Sequence, residues 1–193
     1  MPKLHEMRFR ESPWRSLSES AARRIQAVSA NLVARLEYVT DWRLQKSYYL
    51  AEVWSIEEKF ERLSAADFAS WSHGPWSLPV REAEEALEVQ GVLVRTRGQA
   101  RRRPEAEFLH IGASATVPRI PDDAEFLDEV TRQIKFLDGV TLTQVAKATL
   151  PYKEARPRQR IDLDGYLDLL RRKHARLQAS AKVAALVEEA RAE

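Results

Sequence analysis

Cysteine is absent from the 193-residue chain. Disulfides, thiolate zinc sites, iron–sulfur clusters and cysteine nucleophiles are therefore excluded, and the lack fits a reducing compartment. Glycine is scarce, at 6 residues, whereas Ala, Leu, Glu and Arg are plentiful, a balance that favours helix over strand. No stretch of the sequence approaches the roughly 18 apolar residues of a membrane span. The segment from Met1 to Trp14 is polar and lacks the apolar run of a secretory leader. These absences lead to the expectation of a cytoplasmic protein with no membrane contact. An excess of one charge is missing too: 31 basic against 29 acidic residues leave a formal net charge of +2. That balance gives no global drive toward nucleic acid, so a nucleic-acid case must rest on local clusters.

What is present is a series of helical patterns. Residues 1–16 show no period and carry Pro2 and Pro13, which predicts a flexible N-terminal arm with Trp14 as its one anchor. Ser18 is placed to cap a helix whose apolar face is Ile25, Val28, Leu32, Leu36 and Val39. Thr40 and Asp41 break it and cap a second helix over about 42–58. There Leu44, Tyr48, Tyr49, Leu50, Ala51, Val53 and Trp54 wrap more than one face, as in a helix buried on several sides. Ser64 and Asp67 resemble a capping box, predicting a brief helix through Phe68, Ala69 and Trp71. Gly74-Pro75 marks a turn. A helix over 78–89 follows, with Pro79 in its first turn and Gly91 as its C-terminal cap. Short β-rich runs at 92–94 and 107–111 flank a basic tip, a helix-then-hairpin pattern of winged-helix kind. A helix over 124–137 is expected to end at Gly139, a short one to occupy 142–149, and a long charged one to start at Asp162 or Asp164. The predicted fold is mainly α: a compact helical domain with a small β-hairpin, a winged-helix-like centre and a long C-terminal helix. Its parts are the arm (1–16), the body (17–170) and a helical extension (171–193).

Several residues invite a role. Gln45 and Lys46 interrupt an apolar helix. Either both occupy a narrow solvent-facing stripe, which is the plainer expectation, or Gln45 fixes a neighbouring loop through its amide. The turn His73-Gly74-Pro75-Trp76 can aim Trp71 and Trp76 into one region to seal the core. Alternatively, it leaves His73 and Trp76 exposed as a partner surface, since aromatic anchors dominate hot spots. Arg95, Arg97, Arg101, Arg102 and Arg103 cluster around the hairpin tip, where they can meet phosphates, an acidic protein surface, or solvent alone. Arg171, Arg172, Lys173 and Arg176 form a second basic group, expected to pair with Asp164 and Asp168 along the helix. The four histidines are widely separated, so no metal is expected. No nucleophile elbow, Walker A loop or dinucleotide fingerprint is present, and no cofactor or catalytic residue is assigned.

Three segments together resemble the Panacea, or SocA-like, antitoxin domain, over about residues 23–170. The first, Arg43-Leu44-Gln45-Lys46-Ser47-Tyr48-Tyr49-Leu50-Ala51, is similar to the family's L-Q-K-x-x-Y-x-A helix. The second, Phe68-Ala69-Ser70-Trp71-Ser72-His73-Gly74-Pro75-Trp76, is similar to its F-x-A-W-x-x-G-P signature. The third runs from Leu142-Thr143-Gln144 through Leu150-Pro151-Tyr152-Lys153-Glu154-Ala155 to Ile161. Many members carry a histidine before the P-W/Y-K segment, where this chain has Ala146, Lys147 and Ala148. The resemblance implies a non-enzymatic antitoxin, usually encoded beside its toxin and sometimes carried in prophages, that neutralises a cognate protein toxin by direct contact. Leu44, Gln45, Lys46, Tyr48, Ala51, Trp71, Gly74, Pro75, Pro151, Tyr152 and Lys153 are its implied scaffold. One branch of the family delivers its toxin to a protease. A DNA-binding regulator acting on operator DNA is the rival reading from the hairpin, against which stand Glu82, Glu84, Glu85 and Glu88 on the adjacent helix. Homo-oligomers are compatible with either.

Overall fold

The computed structural model describes residues 14–100 and 103–192, with side chains described over 14–99 and 105–181. The expected first helix forms as α1 (Glu19–Leu36), and the Ser18 hydroxyl accepts the Ala21 N–H at its start. Thr40 does the same for α2 (Asp41–Lys59) by accepting the Arg43 N–H. Every residue of α2 from 44 to 53 is buried. The helix earns no single apolar face because it is surrounded: it touches α1, α3 (Leu78–Val89), α4 (Ala124–Ile134), α5 (Gly139–Ala148) and α7 (Leu163–Ala192). Tyr48, Tyr49, Leu44, Leu50 and Ile56 form the centre of the core with Phe68, Ile25, Leu32 and Leu127.

Two antiparallel hairpins join this helical body. The first pairs β1 (Ala69–Trp71) with β2 (Gly74–Trp76), and Trp71 lies opposite Gly74. Gly74 has φ +98°, a conformation open to glycine and strained for side-chain-bearing residues. The stretch before α7 lies along β1, with Ile161 N–H donating to Phe68 O and Arg158 N–H to Ser70 O. The second hairpin, β3 (Leu93–Ala100) and β4 (Arg103–Ile111), follows α3, as the winged-helix pattern predicts. Val39 and Leu109 exchange backbone hydrogen bonds and fasten β4 to the α1–α2 junction. The chain closes with α6 (Leu150–Glu154) and the long α7, in which every residue from 171 to 181 is exposed. The mainly helical fold with small hairpins and a long C-terminal helix is thus observed.

Some local expectations fail for identifiable reasons. Residues 69–71 form a strand and not a helix, because Ser64 and Asp67 serve tertiary contacts in place of capping. The Ser64 hydroxyl accepts from Tyr48, and Asp67 receives Arg15. Gly139 does not end α4 but opens α5, whose N-cap Asp138 accepts the Thr141 N–H at 2.7 Å. Trp14 is the anchor expected of the arm, and Arg15 is held as well. Trp14 packs edge-on against Trp76 at 5.4 Å, and Arg15 bridges Asp67 and Asp164. The rest of the proposed arm, 1–13, lies outside the described residues. The basic residues of α7 also depart from expectation. Arg171 donates to Phe60 O, Arg172 to the backbone of Asp168, and Asp164 is engaged by Arg15 and Arg62.

Candidate functional site

An open groove of about 1420 Å³ runs between the N-terminal turn of α2, the β1–β2 turn, α5 and the face of the β3–β4 hairpin. Lys46 lies in its floor, and the solvent-stripe expectation for it and for Gln45 is overturned: each is only 2% exposed. The Lys46 Nζ sits 4.3 Å from the centre of the Trp42 ring and has no hydrogen-bond partner. Burial, and secondarily the charge of Lys147, push its amine down to about 7. A Cβ on Gly74 would stand 3.2 Å from Lys46 Cε and 3.3 Å from Thr143 Cγ2. The glycine therefore meets two requirements at once, the positive φ and the close approach of the lysine stem. Trp42 packs edge-on against exposed His73 at 5.7 Å, and Lys147 donates to Ser72 O at 2.6 Å, so the turn is clamped from both sides.

Segments far apart in the sequence meet behind this wall. Gln45 holds the residue before α3 by both of its amide atoms: Nε2 donates to Ser77 O at 3.1 Å and Oε1 accepts Ser77 N–H at 2.8 Å. That is the loop-fixing alternative for Gln45. Tyr152 donates to Trp71 O at 2.6 Å, and Tyr49 shares a 2.8 Å hydrogen bond with Thr149. Leu44, Tyr48 and Ala51 are fully buried, Pro75 and Pro151 are buried, and Lys153 is exposed. Trp71 and Trp76 are only half-buried, with Trp71 beneath the Arg158 guanidinium and Trp76 against Trp14, so they do not seal the core around α2.

Arg95 and Arg97 take different places on the hairpin. Arg95 lies at the hairpin base, hydrogen-bonded to Asp41 at 2.6 Å and Glu88 at 2.5 Å, and these partners raise its guanidinium against the opposing effect of burial. Arg97 is exposed and lines the groove opposite Lys46. Arg101 and Arg102 lie outside the described residues, as does the side chain of Arg103. On α3, Glu84 is buried beside Arg81, with its carboxyl pushed well above its ordinary range by burial and by Asp41, while Glu85 pairs with Arg81 and Glu88 with Arg95.

A second polar system, illegible in the sequence, underlies the site. Tyr48 donates to Ser64 at 2.9 Å, Ser64 donates to Glu52, and Glu52 accepts Arg62 Nε at 2.9 Å. Arg62 continues to Asp164 at 2.6 Å and Ala66 O at 2.7 Å. Burial pushes the Glu52 carboxyl up, and Arg62 and Ser64 draw it back toward the charged form. Of the groove residues, Trp42, Thr143 and Lys147 were missed. The available signal was spacing: Trp42 stands one helical turn before Lys46.

Among the described residues, no three His, Asp or Glu side chains are grouped to hold a metal ion, and no helix is long and apolar enough to cross a membrane. No protein-family model matches the chain, and neither a curated protein nor a solved structure matches it.

Proposed function

We propose that this chain is an antitoxin of the Panacea (SocA-like) kind, which neutralises a cognate protein toxin by stoichiometric binding and without catalysis. The observation that carries the reading is convergence. The L-Q-K helix, the W-x-x-G-P turn and the P-Y-K segment, far apart in sequence, meet through Gln45–Ser77, Lys46–Gly74 and Tyr152–Trp71, and the first two line an open groove through Lys46 and His73. A groove lined by Trp42, His73, Phe108 and Phe136 with charged residues of both signs has the aromatic-rich, mixed composition that protein partners use. Phe136 is 90% exposed, which a partner would relieve. The DNA-regulator alternative is disfavoured because the helix beside the hairpin presents acidic Glu82 and Glu85 to solvent.

The test is co-expression with the adjacent reading frame. The neighbour alone should arrest growth, and co-expression should restore growth and yield a co-purifying complex. Reversing the charge of Arg101, Arg102 and Arg103 should weaken that complex if the hairpin is part of the contact; unchanged affinity removes the hairpin from it. Loss of the toxin only in cells with an intact protease would indicate delivery in place of blocking. A neighbour that is harmless alone overturns the proposal.

A further inference from the structure

We infer that the Lys46 pocket is a carboxylate-binding subsite, which seats one acidic side chain of a partner polypeptide laid in the groove. The inference rests on the partner-binding reading and names the chemistry at its centre. Lys46 lines the groove floor, and its Nζ is almost wholly buried with no hydrogen-bond acceptor. Burial drives such an amine toward its neutral form, and an anion within hydrogen-bond reach would restore its charge. None of the carboxylates nearby supplies it. Asp41 is taken by Arg81 at 2.9 Å and Arg95 at 2.6 Å, and Asp138 caps α5. Lys147 adds a second cation from α5, while its Nζ is held on Ser72 O. Around the lysine, Gly74 contributes no side chain, Thr143 brings its methyl close, and the centre of the half-buried Trp42 ring stands 4.3 Å from the amine.

The surroundings select a single carboxylate over a polyanion. Exposed Glu105 and Glu107 on β4 face the same groove as Arg97, Arg43 and Lys135. They repel a phosphate chain but accept a peptide whose acidic residue is flanked by neutral or basic ones. His73 from the turn and Asp138 from α5 complete the charged and titratable groups around the pocket.

The test uses the full chain labelled with ¹³C at lysine Cε and two blocked tripeptides, acetyl-Ala-Glu-Ala-amide and its Gln counterpart. The Lys46 resonance is the one missing in Lys46→Met, a change that keeps the stem and removes the amine. Saturating Glu peptide should raise its titration midpoint by about one unit or more, as an ion-pair partner does. The Gln peptide should leave it in place, and Lys147→Gln should weaken Glu-peptide binding severalfold. Equal responses to the two peptides, no response to either, or undiminished Glu-peptide binding by Lys46→Met overturns the subsite. Because the probe is a peptide and not the toxin, a failed subsite leaves the toxin complex to stand on its own test, and the reverse holds.

Discussion

Tyr152 reaches across 81 positions of sequence to donate its phenol hydrogen to the carbonyl oxygen of Trp71 at 2.6 Å. The bond ties α6 to the β1–β2 hairpin and sets the turn that forms the groove wall. Tyr152→Phe removes it while keeping the ring. The expected cost is about 0.5–1.5 kcal/mol, read as a shift in the denaturant midpoint at constant m-value. No change in midpoint would mean that the turn holds its place without α6.

Gln45 presents a harsher case, since it satisfies two buried backbone groups of Ser77. Gln45→Leu leaves the buried Ser77 N–H without a partner, at about 1–3 kcal/mol, while Ser77 O keeps only the Arg81 N–H at 3.2 Å. Equilibrium unfolding should show a loss clearly larger than that of Tyr152→Phe.

The Glu52–Arg62 pair is buried on the carboxylate side and continues to Asp164. Glu52→Leu strands part of the Arg62 guanidinium and should destabilise by about 3–5 kcal/mol. Adding Arg62→Met should recover part of that loss, because the unpaired charge disappears. A double-mutant cycle with no coupling would show that the two groups stabilise independently.

Lys46 gives the fold a pH dependence. Its amine is lowered from 10.5 to about 7, first by burial and then by Lys147. Between those values the unfolded chain holds a proton that the folded chain has released, so unfolding free energy rises with pH there and is flat below. The rise should be visible between about pH 7 and 9, at about 1.4 kcal/mol per fully expressed unit. Lys46→Met should abolish it and raise stability at pH 6. The measurement belongs below the range where the buried Tyr48 and Tyr49 phenols, both raised by desolvation, begin to oppose it.

Gly74→Ala should be more damaging than an ordinary turn substitution. It meets both the strained φ and the crowding by Lys46 and Thr143, and backbone strain of this kind costs about 1–3 kcal/mol. Combining it with Lys46→Ala, which vacates the nearest contact, should relieve only the crowding part.

Helices were the legible part of this sequence. Apolar periodicity and local caps placed α1, α2 and α3, and α3 was bounded at Leu78 and Val89 because Pro79 and Gly91 act within a few residues of it. The hairpin after Gly91 was readable for the same reason. What failed depended on partners distant in sequence. Ser64 and Asp67 have the spacing of a cap, yet their oxygens are claimed by Tyr48 and Arg15. Arg95 looked like one of five equivalent tip arginines until Asp41 and Glu88 were brought to it by folding. Gln45 and Lys46 looked solvated because polar residues on a helix usually are. The apolar residues of α2 did indicate burial on several sides; what they did not indicate is that the enclosure would include Gln45 and Lys46.

The chain from Glu52 to Arg62 to Asp164 also has a bearing on synthesis. A ribosome must add more than a hundred residues after Glu52 before Asp164 can arrive, and the strip that lies along β1 is made only shortly before it. Nascent polypeptide is therefore left with an unfinished interior until the stretch from Arg158 to Asp164 has been made. Anything that recognises the finished cleft meets it only after that stretch has joined the body.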